Sequence, residues 1–391
     1  MIVVTSVGTT DGKRLEQTAV EHFARRRERL KSGLLTEELA AVLITNPVNV
    51  SYLTNFSGDS SYLIITRDRT LLVSDARYTT QIRQECPGLQ FHIRPTGQNV
   101  SQAAADVLNK LGSPSVGFES ACVTVAELET LRELTPTVTW KGAKDRVEQL
   151  RVCKDSSEIE QIREAIRIAE RAFEAFRAML RPEDTEKELA DRLEEYIRRF
   201  GGTSSSFPSI VAAGDRAALP HAPPTGRQVG EADLLLVDWG ASGRFYKSDL
   251  TRVLVTRKNS AFSHPGGQSK LYEIHGVVLS AQEQALRQIR PGVKARDVDA
   301  AARQIISNAG FGEFFGHGLG HGIGLQIHEA PALRPNSDTT LEAGMVVTVE
   351  PGIYLPDWGG VRIEDDVVVT PGGCEILTSV TKDLQSLVCE F

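Results

Sequence analysis

Three histidines fall within a dozen residues of a chain that has eight in all. They are His317, His321 and His328, in the stretch FFGHGLGHGIGLQIHEAP from Phe314 to Pro331. Glycines alternate through the same window, at 316, 318, 320, 322 and 324. A helix carries such a load badly, at about 1 kcal/mol per glycine against alanine, so the segment is expected to be extended or looped. With a two-residue period, His317 and His321 point one way and the glycines the other. The glycines then let neighbouring backbone come close. His328 has the opposite parity, so a bend or bulge is needed for it to join the other two. Taken alone, the stretch reads equally well as a glycine-rich turn with three unrelated histidines.

Four carboxylates stand out by position. Asp238 closes the apolar run LLLVDWG and Asp249 opens SDLTRVLV, with Gly240 and Gly243 in the loop between. A hairpin there brings the two aspartates together at its mouth. Glu350 ends MVVTVE, immediately before a Pro-Gly turn, and Glu364 sits mid-strand in VRIEDDVVV. A charge in such a strand is costly unless something compensates it. Each acid alone has an ordinary explanation, because strand-end acids cap or face solvent. Together they carry about four negative charges, which two divalent cations would neutralise, and a neutral imidazole adds a nitrogen ligand without charge. Oxygen ligands with one or two nitrogens favour Mn²⁺, Co²⁺ or Zn²⁺ over a thiolate zinc site. Two such metals roughly 3.5 Å apart can share a hydroxide and hydrolyse an amide. A thermolysin-like HExxH helix is excluded, since His328-Glu329 is followed by Ala-Pro-Ala. There is no Walker loop and no GxSxG, and no cysteine has the local signature of a nucleophile.

The elements that must position these residues follow from pattern. The length of 391 residues fits two to three domains. A net charge of −7 argues against nucleic acid as a partner. No signal peptide is evident in MIVVTSVGTTDGK, and the longest apolar runs are far too short to span a bilayer. Five scattered cysteines without CxxC suit reduced thiols in a cytoplasm. Residues 15–34 read as a charged amphipathic helix. Alternating strands and helices then run to about residue 145 and predict an α/β domain over 1–145. A long helix is expected from Leu150 to Leu180, with an N-cap at Asp155-Ser156-Ser157, followed by a second over 184–200 that closes at Gly201-Gly202. Strands, two more helices (about 269–288 and 295–309), the glycine-rich stretch and three final strands complete an α+β domain over 146–391.

The ordered set of motifs resembles the Xaa-Pro aminopeptidase and prolidase family of pita-bread metallopeptidases. The family's metal ligands fall on Asp238 in VDWG, Asp249 in YKSDLTR, His321 in GHGIG, Glu350 in VEPGIY and Glu364 in GGVRIED. NVSYLTNFSG and SDARY resemble its creatinase-like N-terminal domain, and LRVCKDSSEIEQIREA the entry to its catalytic domain. The resemblance implies a substrate-pocket role for His221, in ALPHAPP. It implies for His328 a hydrogen bond to the scissile group and the tetrahedral intermediate. His317 would be a further active-site histidine, and Arg362 would lie close to the metal-bound glutamates. It implies two divalent metals, most readily Mn²⁺ with Co²⁺ or Zn²⁺ as alternatives, and a bridging hydroxide that attacks the carbonyl before proline. Glu350 would act as proton acceptor. The implied substrates are proline-containing peptides or dipeptides, and a cytoplasmic homodimer is the family expectation.

Two departures are visible. Trp239 follows the first ligand where the family more often has Phe, and KNSAFSHPGGQSK (258–270) is longer than a usual connection. A creatinase-like amidinohydrolase and a non-enzymatic binding homologue share the fold but should have lost the ligands. Methionine aminopeptidase has the ligands but no comparable N-terminal domain. Cleavage of Xaa-Pro peptides and restriction to Xaa-Pro dipeptides both remain open on these residues.

Overall fold

The computed structural model describes residues 21–33, 38–256 and 270–389. The segment 258–270, except for Lys270, therefore lies outside the described residues, as do 15–20 and 34 of the first expected helix. The chain divides into two compact units, Met1–Leu150 and Arg151–Phe391.

The first unit is an α/β layer. Its six-stranded mixed sheet runs in the order Gln90–Ile93, Thr70–Ser74, Tyr62–Thr66, Ala41–Ile44, Ser115–Phe118 and Thr139–Gly142. The helix Val100–Leu111 begins with a capping box between Asn99 and Gln102 and ends on left-handed Gly112. Its Ala103, Ala104, Val107 and Leu108 pack against Leu43, Ile64 and Val116 of the sheet. The helix Val125–Leu134 and the strand Thr139–Gly142 continue the alternation.

The second unit is α+β. The helix expected from Leu150 is in fact two, Arg146–Val152 and Ser156–Ala178. Asp155 accepts from the N–H groups of Ser157 and Glu158, and Glu158 returns a bond to the Asp155 N–H. Such a box holds its first residue extended, so a helix can start there but cannot run through. The helices Ser156–Ala178 and Glu186–Arg199 bury Phe173, Phe176, Leu189 and Leu193 with Val211, Leu235 and Val237 of a three-stranded sheet. That sheet runs Leu250–Val255, Leu234–Trp239, Ile210–Ala213. A second core unites the helices Lys270–Gln288 and Ala295–Asn308 with the later strands.

Those later strands are more numerous than expected. After Gly320–Gly322 come six rather than three, at Glu329–Leu333, Val346–Val349, Gly352–Leu355, Gly359–Arg362, Asp365–Thr370 and Gly373–Ile376. The left-handed residues Asp357 and Gly359 turn the chain between Gly352–Leu355 and Gly359–Arg362. Glu364 lies between two strands rather than inside one, because Gly359–Arg362 and Asp365–Thr370 belong to different sheets. Its partner is a single bridge to Thr251.

Trp239 has a clear packing role. It is fully buried, stacks on Phe173 with ring centroids 4.1 Å apart, and donates its indole N–H to the Ala169 carbonyl at 2.9 Å. It thus pins the helix Ser156–Ala178 to the strand that carries Asp238. Replacing it with alanine should destabilise this unit by about 3–5 kcal/mol, read as a lowered urea midpoint with an unchanged slope.

Candidate metal centre

The glycine-rich segment does bend. The strands Gly320–Gly322 and Glu329–Leu333 pair antiparallel, with a register shift between His321 and Gly322. The chain between them turns His328 back, so that its ring meets that of His321 edge to face at 4.3 Å. The glycines permit the close backbone approach that the alternation implied. A Cβ at Gly320 would stand 2.1 Å from the Thr348 carbonyl oxygen.

Thr251 joins the acids. It pairs with Asp238 across the three-stranded sheet and bridges to Glu364 on its other side. Its hydroxyl donates to Glu364 at 2.6 Å and accepts from Arg362 Nε at 3.0 Å. The same guanidinium donates to Asp238 Oδ2 at 2.5 Å and to Tyr354 Oη at 2.7 Å. One ligand atom each from Asp249, His321 and Glu364 lies within 4.8 Å of the other two. His321 Nε2 stands 3.6 Å from Asp249 Oδ2 and 3.3 Å from Glu350 Oε1. The structure therefore brings together all five acids and histidines named for metal binding, with Arg362 beside them. His317 joins through Tyr354, whose hydroxyl lies 2.9 Å from His317 Nε2. His221 and His328 line the same cavity.

The hydrogen bonds fix which nitrogen is available. His321 Nδ1 lies 3.1 Å from the Gly322 carbonyl, which can only accept, so Nδ1 carries the proton and Nε2 presents its lone pair to the carboxylates. Burial and the His328 ring hold His321 down to about 4, so it is neutral at pH 7. The acids move the other way. Burial, reinforced by the neighbouring carboxylates, drives Asp249 and Glu364 well above the ordinary range. Burial also pushes Glu350 up to about 7, with Arg362 opposing and Asp238 adding to the rise. Asp238 Oδ1 is buried with no hydrogen-bond partner. An unpartnered buried oxygen, a correctly oriented imidazole and crowded carboxylates short of positive charge fit divalent cations.

Behind this face lies a second buried charge cluster that the sequence reading missed. Arg252 donates to Asp365 Oδ1 at 2.8 Å and to the carbonyls of Glu364 at 2.6 Å, Val380 at 2.6 Å and Thr381 at 3.0 Å. Asp365 is held also by Lys382 and by Thr378, the latter at 2.7 Å. Thr251 and Tyr354 were missed as well. The only local signal was spacing, since Thr251 is two residues after Asp249 and Tyr354 four after Glu350.

The cluster opens on a cavity of about 600 Å³ walled by Phe207, Pro208, Pro220, Ala222, Pro223 and Ile327. Protons and cations compete for the acids. Because the folded-state pKa of Glu350 is raised to about 7, its proton must be displaced below that pH and not above it. The apparent Mn²⁺ affinity should therefore rise between about pH 6 and 7, by about tenfold for each proton displaced. Calorimetric titration in buffers of different ionisation enthalpy measures both the affinity and the proton count.

Known proteins bear the same architecture. The profile of metallopeptidase family M24 matches residues 160–371, and that of the creatinase/prolidase N-terminal domain matches 26–153. An Xaa-Pro dipeptidase from Pyrococcus furiosus is 33% identical over 92% of this chain and 99% of its own length. The solved Xaa-Pro dipeptidase from Bacillus anthracis superposes with a TM-score of 0.86 at 38% identity, covering 94% of this chain and 99% of that one. The X-Pro aminopeptidase structure from Thermotoga maritima gives 0.83 at 36% identity, covering 93% and 99%. With both profiles matched and such relatives alike along nearly the whole length, the chain belongs to metallopeptidase family M24, as an exopeptidase that carries the creatinase/prolidase N-terminal domain.

Proposed function

We propose that the protein is a dinuclear Xaa-Pro aminopeptidase, cleaving the bond before proline at the N-terminus of peptides. One observation carries this reading. The acid and histidine face forms part of a cavity whose remaining wall is mostly apolar and rich in proline. A prolyl residue has a compact ring and no N–H to satisfy, so such a wall can hold it without leaving a buried donor unpaired.

Asp238, Asp249, His321, Glu350 and Glu364 would hold two cations, Mn²⁺ foremost and Co²⁺ or Zn²⁺ as alternatives. Bound there, the cations supply Lewis acidity and lower the pKa of water towards neutrality. Glu350 accepts the proton from the attacking water. His328, in ring contact with His321, donates to the oxyanion as charge develops on the carbonyl oxygen. The prolyl nitrogen leaves as a secondary amine and takes its proton through a carboxylate–histidine relay. His221 lines the pocket for the substrate. Arg362 and Thr251 keep Asp238 and Glu364 oriented. Tyr354 links His317 to Arg362, which gives His317 a supporting role. A homodimeric, cytoplasmic enzyme is part of the same reading and rests on the family alone.

Restriction to dipeptides is a second reading, favoured by one residue. Arg334 is exposed, lines the cavity and makes no ion pair or side-chain hydrogen bond among the described residues. A guanidinium there suits the free carboxylate of a dipeptide. Hydrolysis of Ala-Pro and Ala-Pro-Ala, with Mn²⁺ and after chelation, separates the two. Metal-dependent cleavage of both is expected, cleavage of Ala-Pro alone would establish the dipeptidase, and cleavage of neither by metal-loaded protein would remove the proline specificity. If Arg334 binds the carboxylate, Arg334→Ala should raise KM for Ala-Pro by about tenfold or more. An aminopeptidase should show little change in KM for Ala-Pro-Ala.

A further inference from the structure

His328 reaches His321 only because the chain between the strands Gly320–Gly322 and Glu329–Leu333 folds back on itself, away from a regular ladder. What holds that turn is a buried charge outside the cavity lining. The Glu329 side chain is only 5% exposed, and its carboxylate is clamped by Arg151 and by Lys154 Nζ at 3.3 Å. The two cations are themselves 2% and 1% exposed. The same carboxylate accepts the Gln326 N–H at 2.8 Å, and the Gln326 side-chain oxygen accepts from Arg151 at 2.8 Å. Lys154 is in turn fixed by its own backbone N–H, which donates to the Gly344 carbonyl at 2.8 Å.

Glu329 opens the strand Glu329–Leu333 and is anchored outside the cavity lining, whereas the preceding His328, the last residue of the bend, lines the cavity. Fixing Glu329 therefore fixes the backbone from which His328 projects. Gly324 completes the arrangement, because a Cβ there would stand 2.9 Å from a Glu329 carboxylate oxygen. The carboxylate is thus seated against bare backbone inside the turn.

We propose that Glu329, clamped between Arg151 and Lys154, is a positioning residue that sets the His328 imidazole against His321. This rests on the reading in which His328 contacts the reacting group. Glu329 touches neither substrate nor ligand and acts only through the turn it holds.

Two variants displace the carboxylate by different routes. Lys154→Met with Glu329→Gln removes one cation and one anion together, so the net charge of the buried cluster is unchanged. Gly324→Ala keeps every charge and pushes a methyl group against the carboxylate. Either should lower kcat on Ala-Pro by about 10- to 100-fold, the order lost when a catalytic group moves by an ångström or so, while bound metal per chain and KM change little. The deciding measurement is a double-mutant cycle with His328→Ala. If Glu329 acts through His328, adding His328→Ala to Gly324→Ala lowers kcat far less than it does alone. Fully additive losses in both backgrounds, or an unchanged kcat in either displaced variant, would overturn the proposal. If His328→Ala alone leaves kcat intact, it is the role of His328 in the proposed function that falls. Histidine-labelled NMR of the Gly324→Ala protein gives an answer independent of turnover. The His328 ring resonances should move and those of His22 should not, and an unmoved His328 would count against the proposal.

Discussion

Like charges held out of water cannot all remain ionised, and this constraint shapes the second unit. Asp238, Asp249 and Glu364 are each less than a tenth exposed, and Glu350 is nearly as hidden. Within such a site each carboxylate raises the pKa of the next. One guanidinium, Arg362, faces the group and neutralises only part of it. The remainder must be met by protons or by cations. The surrounding hydrogen bonds are arranged for cations: His321 offers a bare nitrogen, and an oxygen of Asp238 is left without a donor. A fold that spent its stability on this cluster without a use for it would be poorly served, since well-packed apolar residues of the same volume generally do better.

The rest of the unit can be read as support for that crowding. Thr251 sits between two acids and is hydrogen-bonded to one of them and to Arg362. Trp239, one residue beyond Asp238, is locked into aromatic packing and an indole hydrogen bond. The buried carboxylates of Glu329 and Asp365 lie outside the cavity lining, and each is held between two cations. The carboxylates that line the cavity have only Arg362 among them.

Much of this was legible in the chain itself, for physical reasons. Asp238 stands at the end of a uniformly apolar run, and a run of that kind has to be a buried strand, which locates its terminal acid; Asp249 opens a largely apolar run that Thr251 and Arg252 interrupt. Asp155 and Glu158 announced a helix start correctly, yet the same box shows that no helix crosses residue 155, and the sequence reading extended it back to Leu150. The parity of His328 required a bend without saying what would make it. That answer depends on Arg151 and Lys154, more than 170 residues away in sequence. Glu364 was placed inside a strand because apolar residues flank it, and only the pairing of distant segments shows that two sheets divide there. Local pattern specifies what a segment must bury. Which distant partner buries it is a property of the whole chain.

The bonds made by Arg252 carry a consequence for biosynthesis. This buried guanidinium holds the carbonyl of Glu364 and the side chain of Asp365, and it is itself completed by the carbonyls of Val380 and Thr381. Thr378 and Lys382 finish the shell of Asp365. A chain emerging from the ribosome thus makes every residue of the acid cluster before it makes the segment that supports the last of them. Until residue 382 has been translated and has cleared the exit tunnel, Arg252 and Asp365 lack their final partners. The acid cluster can therefore gain its full support only after the segment 378–382 has been made.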